Sequence, residues 1–331
     1  MKKYLAIVLT LVLTIALFAA CIGFFVPAAQ ARQFITIASA QLGGATHNSA
    51  MAIAAAANIS IVGYRVEAVP TAGQTESARM QRAGEVEINT MGVDAVFNAR
   101  NGLDIFEGNP WPELRILFPQ FPTFANICVP ANSSVQAFDD LRGRRVGMGN
   151  PGSAAFFVIN HLLRAHGIEN DVTQAPLDPS EQIVALNDGH IDVFAFFTTP
   201  NSPFIMELDA TMPIRWINVD RAKWEAYAKE TRLPFVVTTV PAGYYTGMTE
   251  PIDKLSGMNL FVSRADVPEE TIYQFTRHFF ENFQSAVSAV SAIEVIPDLL
   301  ATHVPHAPWH PGVVRFFREA NIPFIEYQGQ N

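Results

Sequence analysis

The glycines of residues 147–157, GMGNPGSAAFF, have the spacing G-x-G-x-x-G, which is typical of loops that bind nucleotide phosphates. A short strand is predicted before this loop, and the apolar spacing after it predicts a helix that ends at Gly167. Ser153 stands where a helix N-cap is expected. A strand, a turn and a helix start in this order present unpaired backbone N–H groups and the positive end of the helix dipole. The pattern therefore predicts a site for an anion.

Three interpretations of this loop are open. A dinucleotide site of the Rossmann type needs an acidic residue about 20 positions further on, and neither Asp171 nor Asp178 fits that position well. A small anion or carboxylate needs only the turn and the helix start, and a purely structural turn binds nothing. We favour the small anion and expect no cofactor.

The same arrangement occurs a second time nearer the N-terminus. Residues 34–58 predict a strand, a loop that contains Gly43 and Gly44, and an alanine-rich helix. A later phrase is also shared, AGEVEI at residue 83 and DGHIDV at residue 188, where a helix ends at glycine and a strand follows. The repeat predicts an α/β fold of two doubly wound domains, with a ligand cleft between them at the carboxyl ends of the strands.

The order of the predicted elements divides the chain into two domains. Domain I is expected to be discontinuous, with residues 32–127 and 238–331, and domain II takes residues 128–237. Hinge strands near residues 125–131 and 235–245 are expected to join them.

The N-terminus predicts export. A basic start, an uncharged stretch and the sequence AQA fit a signal peptide, residues 1–31, that is cleaved after Ala31. An uncleaved membrane anchor is an alternative because the apolar stretch is long, and lipidation at Cys21 is another. The expected location is the periplasm.

Composition excludes several function classes for the mature chain. Without the two lysines of the leader, 20 basic residues stand against 31 acidic ones, a formal charge of −11, which disfavours nucleic-acid binding. Cys128 is the remaining cysteine and is expected in a buried strand. No catalytic residue is predicted, since Ser153 lacks a nucleophile-elbow pattern. His303, His306 and His310 have spacing that could chelate a metal, but their proline-rich setting favours a surface loop, so we predict no metal site.

Several phrases resemble a known family, in the same order and across nearly all of the mature chain. FDDLRGRRVGMGNPGS, NDGHIDVFAFF, TTVPAGYY and IASAQLGGATH are similar to sequences of the solute receptors of TRAP transporters of the TAXI type. The resemblance implies a monomeric two-domain receptor with a fold like that of type II periplasmic binding proteins. Such a receptor closes on its solute and presents it to the membrane subunits of an ion-driven transporter. The resemblance also implies carboxylate solutes, such as glutamate or a 2-oxo acid.

The chain departs from this family at the first glycine loop. Where relatives have GSTGGTYY, residues 40–47 are AQLGGATH, so the glycine pair is kept while the first serine and the aromatic pair are not. Capture of an anion by backbone N–H groups should persist, but a plain glutamate specificity is in doubt. His47 in the first turn of the helix would face the cleft if it is a ligand contact, and a plain surface position is the alternative.

The solute is predicted to lie between residues of both domains. On domain I these are Ser39, Gln41, Gly43, Gly44, Thr46, His47, Thr71, Gly73, Gln74 and Met91, and on domain II they are Asn150, Gly152, Ser153, Thr198 and Thr199. Competing structural roles exist for them: the glycines can serve turns alone, Thr198 and Thr199 can simply end a strand, and Met91 can be core packing.

The main hypothesis is therefore a non-enzymatic extracytoplasmic receptor of a TRAP transporter for a small anionic solute. An ABC-type substrate-binding protein is an alternative in the same transport class. The input domain of a membrane-anchored sensory system, held by an uncleaved leader, is an alternative from a different class.

Overall fold

The computed structural model describes residues 32–328, apart from residues 41, 43, 200, 201, 246, 247, 303 and 304. The predicted leader and the predicted site residues Gln41 and Gly43 lie outside the described residues. Ten strands are described: β1 (Gln33–Ala38), β2 (Tyr64–Val69), β3 (Ile88–Gly92), β4 (Leu114–Pro130), β5 (Arg145–Gly147), β6 (Thr173–Ala175), β7 (Phe194–Thr198), β8 (Ile214–Trp216), β9 (Val236–Val240) and β10 (Ile252–Arg264).

Helices connect and cover these strands. In chain order they are α1 (Ala45–Asn58), α2 (Gln74–Arg82), α3 (Val93–Asn101), α4 (Ala154–Ala165), α5 (Pro179–Asn187), α6 (Pro203–Thr211), α7 (Arg221–Thr231), α8 (Glu269–Glu281), α9 (Phe283–Ala289), α10 (Ile296–Thr302) and α11 (Pro311–Glu319). Among the described residues, no helix is long and apolar enough to cross a membrane.

Two long strands organise the sheet. The second half of β10 and the first half of β4 are antiparallel partners, and together with β3, β1 and β2 they form one end of the sheet. The second half of β4 pairs with β7 and β8, and the first half of β10 pairs with β9. Each long strand thus belongs to two groups of strands, which we call the first lobe (β1–β3, residues 114–124 and 256–264) and the second lobe (β7–β9, residues 125–130 and 252–255). The second lobe also includes a separate parallel sheet of β5 and β6, which meets the residue before β7 through the Val146–Val193 bridge.

Helices pack on both lobes around phenylalanine-rich cores. In the first lobe, α1 contacts β2, α8 and α9, and α11 packs on α8. The ring of Phe118 lies 5.1 Å from that of Phe261 and 5.2 Å from that of Phe279. In the second lobe, α4 packs on β7 and α7, while α5 contacts β7 and α6.

The strand that returns to the first lobe differs from the predicted one. Residues 235–245 were expected to cross between domains, but β9 within this range pairs with residues 252–256 of β10. The strand that continues into the first lobe is β10. The predicted crossing near residues 125–131 falls in the second half of β4, after the last β4–β10 pair, Phe124 with Ser256.

A buried lysine lies where the two long strands separate. Lys254 is 1% exposed, and its Nζ donates to Asn126 Oδ1 at 2.8 Å, two residues beyond that last pair on each strand. The same Nζ lies 3.8 Å from the ring centroid of Trp216 and 4.7 Å from that of Tyr245. Burial lowers the pKa of Lys254 to about 7.

This lysine should make stability depend on pH. Between about pH 7 and the unfolded lysine pKa of about 10.4, the unfolded chain holds a proton that the folded chain has released, so stability rises with pH. Below pH 7 both states are protonated and the full cost of the buried charge is present. We expect Lys254→Met to flatten this rise in urea unfolding midpoints measured from pH 6.5 to 10. Lys229→Met removes an exposed lysine and serves as the control. If the urea midpoint of Lys254→Met rises with pH as steeply as that of the unchanged protein, buried Lys254 is not the cause of the rise.

Candidate functional site

A cleft of about 760 Å³ lies between the two lobes. Both glycine loops of the sequence reach it, one from each lobe. Ten of the residues predicted for the site line it: Ser39, Gly44, Thr46, Gly73, Gln74, Asn150, Gly152, Ser153, Thr198 and Thr199. The repeat therefore places two strand–loop–helix units on opposite walls of one cavity.

Two helices of the first lobe begin at the cleft. Gly44 is the N-cap of α1 and Gly73 is the N-cap of α2, and neither helix start has a side-chain cap. Gly73 has φ +145°, a conformation that side-chain-bearing residues rarely adopt. Because the first N–H groups of a helix have no partner within the helix, both starts can donate to a ligand. The first turn of α1 contains no acidic residue, whereas that of α2 contains Glu76.

The second lobe contributes the start of α4. Gly149 and Gly152 have φ of +75° and +82°, and a Cβ on Gly149 would lie only 2.8 Å from Ala155 Cβ. The N–H of Phe156 donates to Ser153 Oγ at 3.2 Å, which confirms the predicted N-cap. This bond uses Ser153 Oγ as an acceptor, so the hydroxyl proton can still be donated. No acidic residue lies in the first turn of α4.

Three predicted site residues lie behind the cleft wall. His47 is 6% exposed and its Nδ1 is 2.7 Å from Ser39 Oγ, so it positions this serine and does not line the cleft. Thr71 donates to the carbonyl oxygen of Ser39 at 2.5 Å and accepts from the N–H of Gly73, which orders the loop before α2. Met91 is 1% exposed and belongs to the hydrophobic core, because the adjacent Thr90 and Gly92 take the cleft-facing side of β3.

Other lining residues were not predicted from the sequence. The central strands supply Thr90, Thr123 and Asn259, whose Nδ2 donates to Thr46 Oγ1 at 3.3 Å. Apolar walls come from five phenylalanines: Phe106, Phe121, Phe196, Phe197 and Phe204. The period-two alternation of a strand could have marked Thr90 and Thr123 as sharing a face with cleft residues, but only once the sheet order was known.

Charged side chains at the cleft come from α2. Arg79 and Arg82 both line it, while Glu76 binds the N–H of Ala72 through Oε2 at 2.6 Å. Arg79 forms a 3.0 Å ion pair with Glu85 and is largely exposed. Arg82 donates to Asn109. The cationic groups at this edge are thus partly satisfied by the protein, and the starts of α1 and α4 are the donors left without acidic neighbours in their first turns.

The histidine cluster of the sequence does not form a metal centre within the described part of the chain, where no group of three His, Cys, Asp or Glu could hold a metal ion. His310 is the N-cap of α11: Nδ1 accepts from the N–H of Gly312 at 3.2 Å, and Nε2 lies 3.1 Å from the carbonyl oxygen of Val267. Burial lowers its pKa to about 4, so the ring is neutral and structural. His303 lies outside the described residues.

A family model provides the first comparison with known proteins. The model described as the NMT1-like family matches residues 37–320. The chain belongs to the NMT1-like family. All cleft-lining residues of this NMT1-like protein lie within the matched region.

Solved structures share the fold of this NMT1-like chain. A protein of Bordetella bronchiseptica RB50 superposes with a TM-score of 0.52 at 15% identity, over 88% of this chain and 98% of its own. A Xanthomonas citri protein bound to ATP gives 0.50 at 12% identity, over 87% and 95%. The periplasmic aliphatic sulphonate binding protein of Escherichia coli gives 0.48 at 13% identity, over 88% and 94%. The predicted periplasmic-binding-protein fold is confirmed, and identities this low describe the fold alone.

Proposed function

We propose that this protein is an extracytoplasmic solute-binding protein that holds a small organic anion between its lobes. The observation that carries the proposal is the meeting of α1 and α4, one from each lobe, at a single cleft with no acidic residue in either first turn. Unpaired N–H groups and the positive dipole ends then act on the same negative group. The fold and the family support this role.

The anion contacts alone do not supply useful affinity. One helix start contributes ~0.3 to 2 kcal/mol toward an anion, depending on burial. Micromolar binding needs ~8 kcal/mol, so other contacts must add to those of the helix starts. The phenylalanine walls can supply these by covering an apolar part of the solute and excluding water. We therefore expect a carboxylate or another organic anion with an apolar portion, rather than an inorganic ion.

Closure of the lobes completes the site in this mechanism. The strands β4 and β10 each run through both lobes, so bending near residues 125–131 and 252–256 would bring α4 toward α1 and α2. The solute bridges the two helix starts only in the closed form. Its binding energy therefore favours closure.

Two membrane partners are compatible with such a receptor. The sequence phrases support TRAP subunits of the TAXI type. One protein of similar fold, from Methylobacillus flagellatus, is named as the periplasmic sulfonate-binding protein of a putative sulfonate ABC transporter. This name favours the ABC-type receptor. That likeness describes the fold alone, so the partner is best decided by which permease genes lie beside this one and whether uptake in a reconstituted system requires ATP or an ion gradient.

Binding rather than catalysis is also our proposal. The polar groups of the described cleft wall are hydroxyls, amides, backbone N–H groups, two arginines and Glu76, whose carboxylate binds the backbone. A sensory input domain would need the uncleaved leader, and mass spectrometry of the mature N-terminus tests that alternative.

A thermal-shift panel tests the function. Amino acids, monocarboxylates, dicarboxylates, alkanesulfonates and neutral sugars are added at equal concentration to the mature protein. A ligand at a hundredfold excess over its dissociation constant stabilises the folded state by ~2.7 kcal/mol. We expect one class of organic anion to raise the melting temperature. Stabilisation by neutral or cationic compounds alone would overturn the anion site.

Replacing Ser153 should have a modest effect. Ser153→Ala removes the hydroxyl that caps α4 and leaves the backbone N–H groups in place. The lost cap should lower stability by about 1 kcal/mol. Solute affinity measured by calorimetry should fall by less than about tenfold, the equivalent of 1.4 kcal/mol. Ser202→Ala at the N-cap of α6 is the matched control, with the same loss of stability and unchanged affinity. A complete loss of binding in Ser153→Ala would mean that the hydroxyl, not the backbone, holds the anion.

A further inference from the structure

Two threonines in the cleft have hydroxyl groups that nothing in the described protein satisfies. Thr90 and Thr123 are each 4% exposed, and each Oγ1 is buried without a hydrogen-bond partner. Both residues line the cleft. A buried hydroxyl without a partner is costly, so such groups in native proteins call for an explanation.

Other buried threonines of the first lobe behave differently. Thr276 donates to the carbonyl oxygen of Ile272 at 2.7 Å, and Thr71 donates to that of Ser39 at 2.5 Å. Neither of these two threonines lines the cleft. Unpaired buried polar atoms also occur away from the cleft, as in Asn89 and Gln120, so Thr90 and Thr123 are distinguished by lining the cleft as well.

The sheet register places the two hydroxyls on either side of one strand. Thr90 of β3 is the partner of Phe261 in β10, and Thr123 of β4 is the partner of Gly257. Asn259 lies between these two positions of β10 and also lines the cleft. The two threonines thus lie on a diagonal across three adjacent strands, four β10 positions apart with Asn259 between them, within phenylalanine walls that offer no acceptor.

We propose that Thr90 and Thr123 determine specificity, each by hydrogen bonding to a polar group of the solute that lies away from its anionic end. This inference rests on the proposed binding function and narrows its ligand class. The solute is an organic anion that also carries an oxo, hydroxyl or amino group, joined by an apolar part that the phenylalanines cover. Rotation about the Cα–Cβ bond of each threonine exchanges Oγ1 with the methyl group, so the solute can draw either hydroxyl into the cleft.

Valine substitutions separate a binding role from a structural one. Thr→Val keeps the shape and removes only the hydroxyl. For Thr90→Val and Thr123→Val we expect an unchanged or higher urea unfolding midpoint, because an unpaired buried hydroxyl is lost. Thr276→Val is the matched control, and its midpoint should fall because a formed hydrogen bond is lost. Lower midpoints for both cleft variants, equal to the fall in the control, would mean that the hydroxyls are satisfied within the protein and would overturn the inference.

Solute pairs that differ by one polar group complete the test. Calorimetry compares 2-oxoglutarate with glutarate, phenylpyruvate with 3-phenylpropionate, and L-glutamate with glutarate. The unchanged protein should prefer the first member of at least one pair by about tenfold, and the double variant Thr90→Val/Thr123→Val should bind both members alike. A preference retained in the double variant overturns this inference and leaves the proposed function standing. No binding of any probe to the unchanged protein, with the thermal-shift panel also negative, overturns both.

Discussion

Gly152→Val is expected to abolish solute binding, with a loss of at least about a hundredfold in affinity, while the protein stays folded. Gly152 lines the cleft immediately before the N-cap Ser153, at the start of α4. Nothing lies within 4 Å of a Cβ at this position, so the new side chain fits in the free protein and occupies space that the solute needs. A hundredfold loss is about 2.7 kcal/mol, more than the ~0.3 to 2 kcal/mol of one helix start, because the valine side chain also excludes the solute from its place in the cleft.

A second glycine supplies the control for backbone strain. Gly152 has φ +82°, so valine is also strained there, and Gly189 at the end of α5 has φ +70° with equally open surroundings. Gly189 does not line the cleft. Both variants should lose similar stability in urea unfolding, and only Gly152→Val should lose binding in calorimetry. Equal affinities for the two variants would refute backbone capture of the anion at α4.

Gly312→Ala should be the most destabilising of the changes considered, with a loss of about 3 kcal/mol in the free energy of unfolding. Gly312 is the second residue of α11, where this helix crosses the start of α8. A Cβ there would collide with the carbonyl oxygen of Glu269 and lie 2.7 Å from the backbone nitrogen of Tyr273. Because both atoms belong to a helix backbone, the added methyl group can be accommodated only if the two helices separate.

Urea unfolding of Gly312→Ala checks this prediction. Gly108→Ala is the control, since its Cβ would meet nothing within 4 Å and only the strain of φ +68° remains, about 1 kcal/mol. Solute affinity of the folded Gly312→Ala protein should be unchanged because Gly312 does not line the cleft. A stability loss no greater than that of Gly108→Ala would show that α8 and α11 are not held at this distance.

The two glycine loops could be predicted from the sequence because the patterns that mark them are local. Glycine spacing, an N-cap serine and apolar periodicity are each contained in a few neighbouring residues, and they locate the starts of α1 and α4. Repetition of the unit then implied two walls and one cleft. The rule that ligands lie at the carboxyl ends of strands also predicted Thr198 and Thr199, and both line the cleft.

The residues at the floor of the cleft and the position of His47 could not be predicted in this way. Thr90, Thr123 and Asn259 become neighbours only because β10 inserts between β3 and β4, a pairing between residues more than 130 positions apart. His47 follows the glycine pair and suggested a ligand contact, yet the hydroxyl of Ser39 lies against its ring. The second crossing between lobes was misplaced for a similar reason, since only the strand pairing shows that β10, and not β9, continues into the first lobe.

The central claim is that a small organic anion is held between α1 and α4. Native mass spectrometry of the mature protein, purified under non-denaturing conditions and then incubated with the best anion of the thermal-shift panel, tests it most directly. The account predicts one bound equivalent on the unchanged protein and on Gly189→Val, and none on Gly152→Val. One equivalent on all three proteins, or none on any of them, would contradict it.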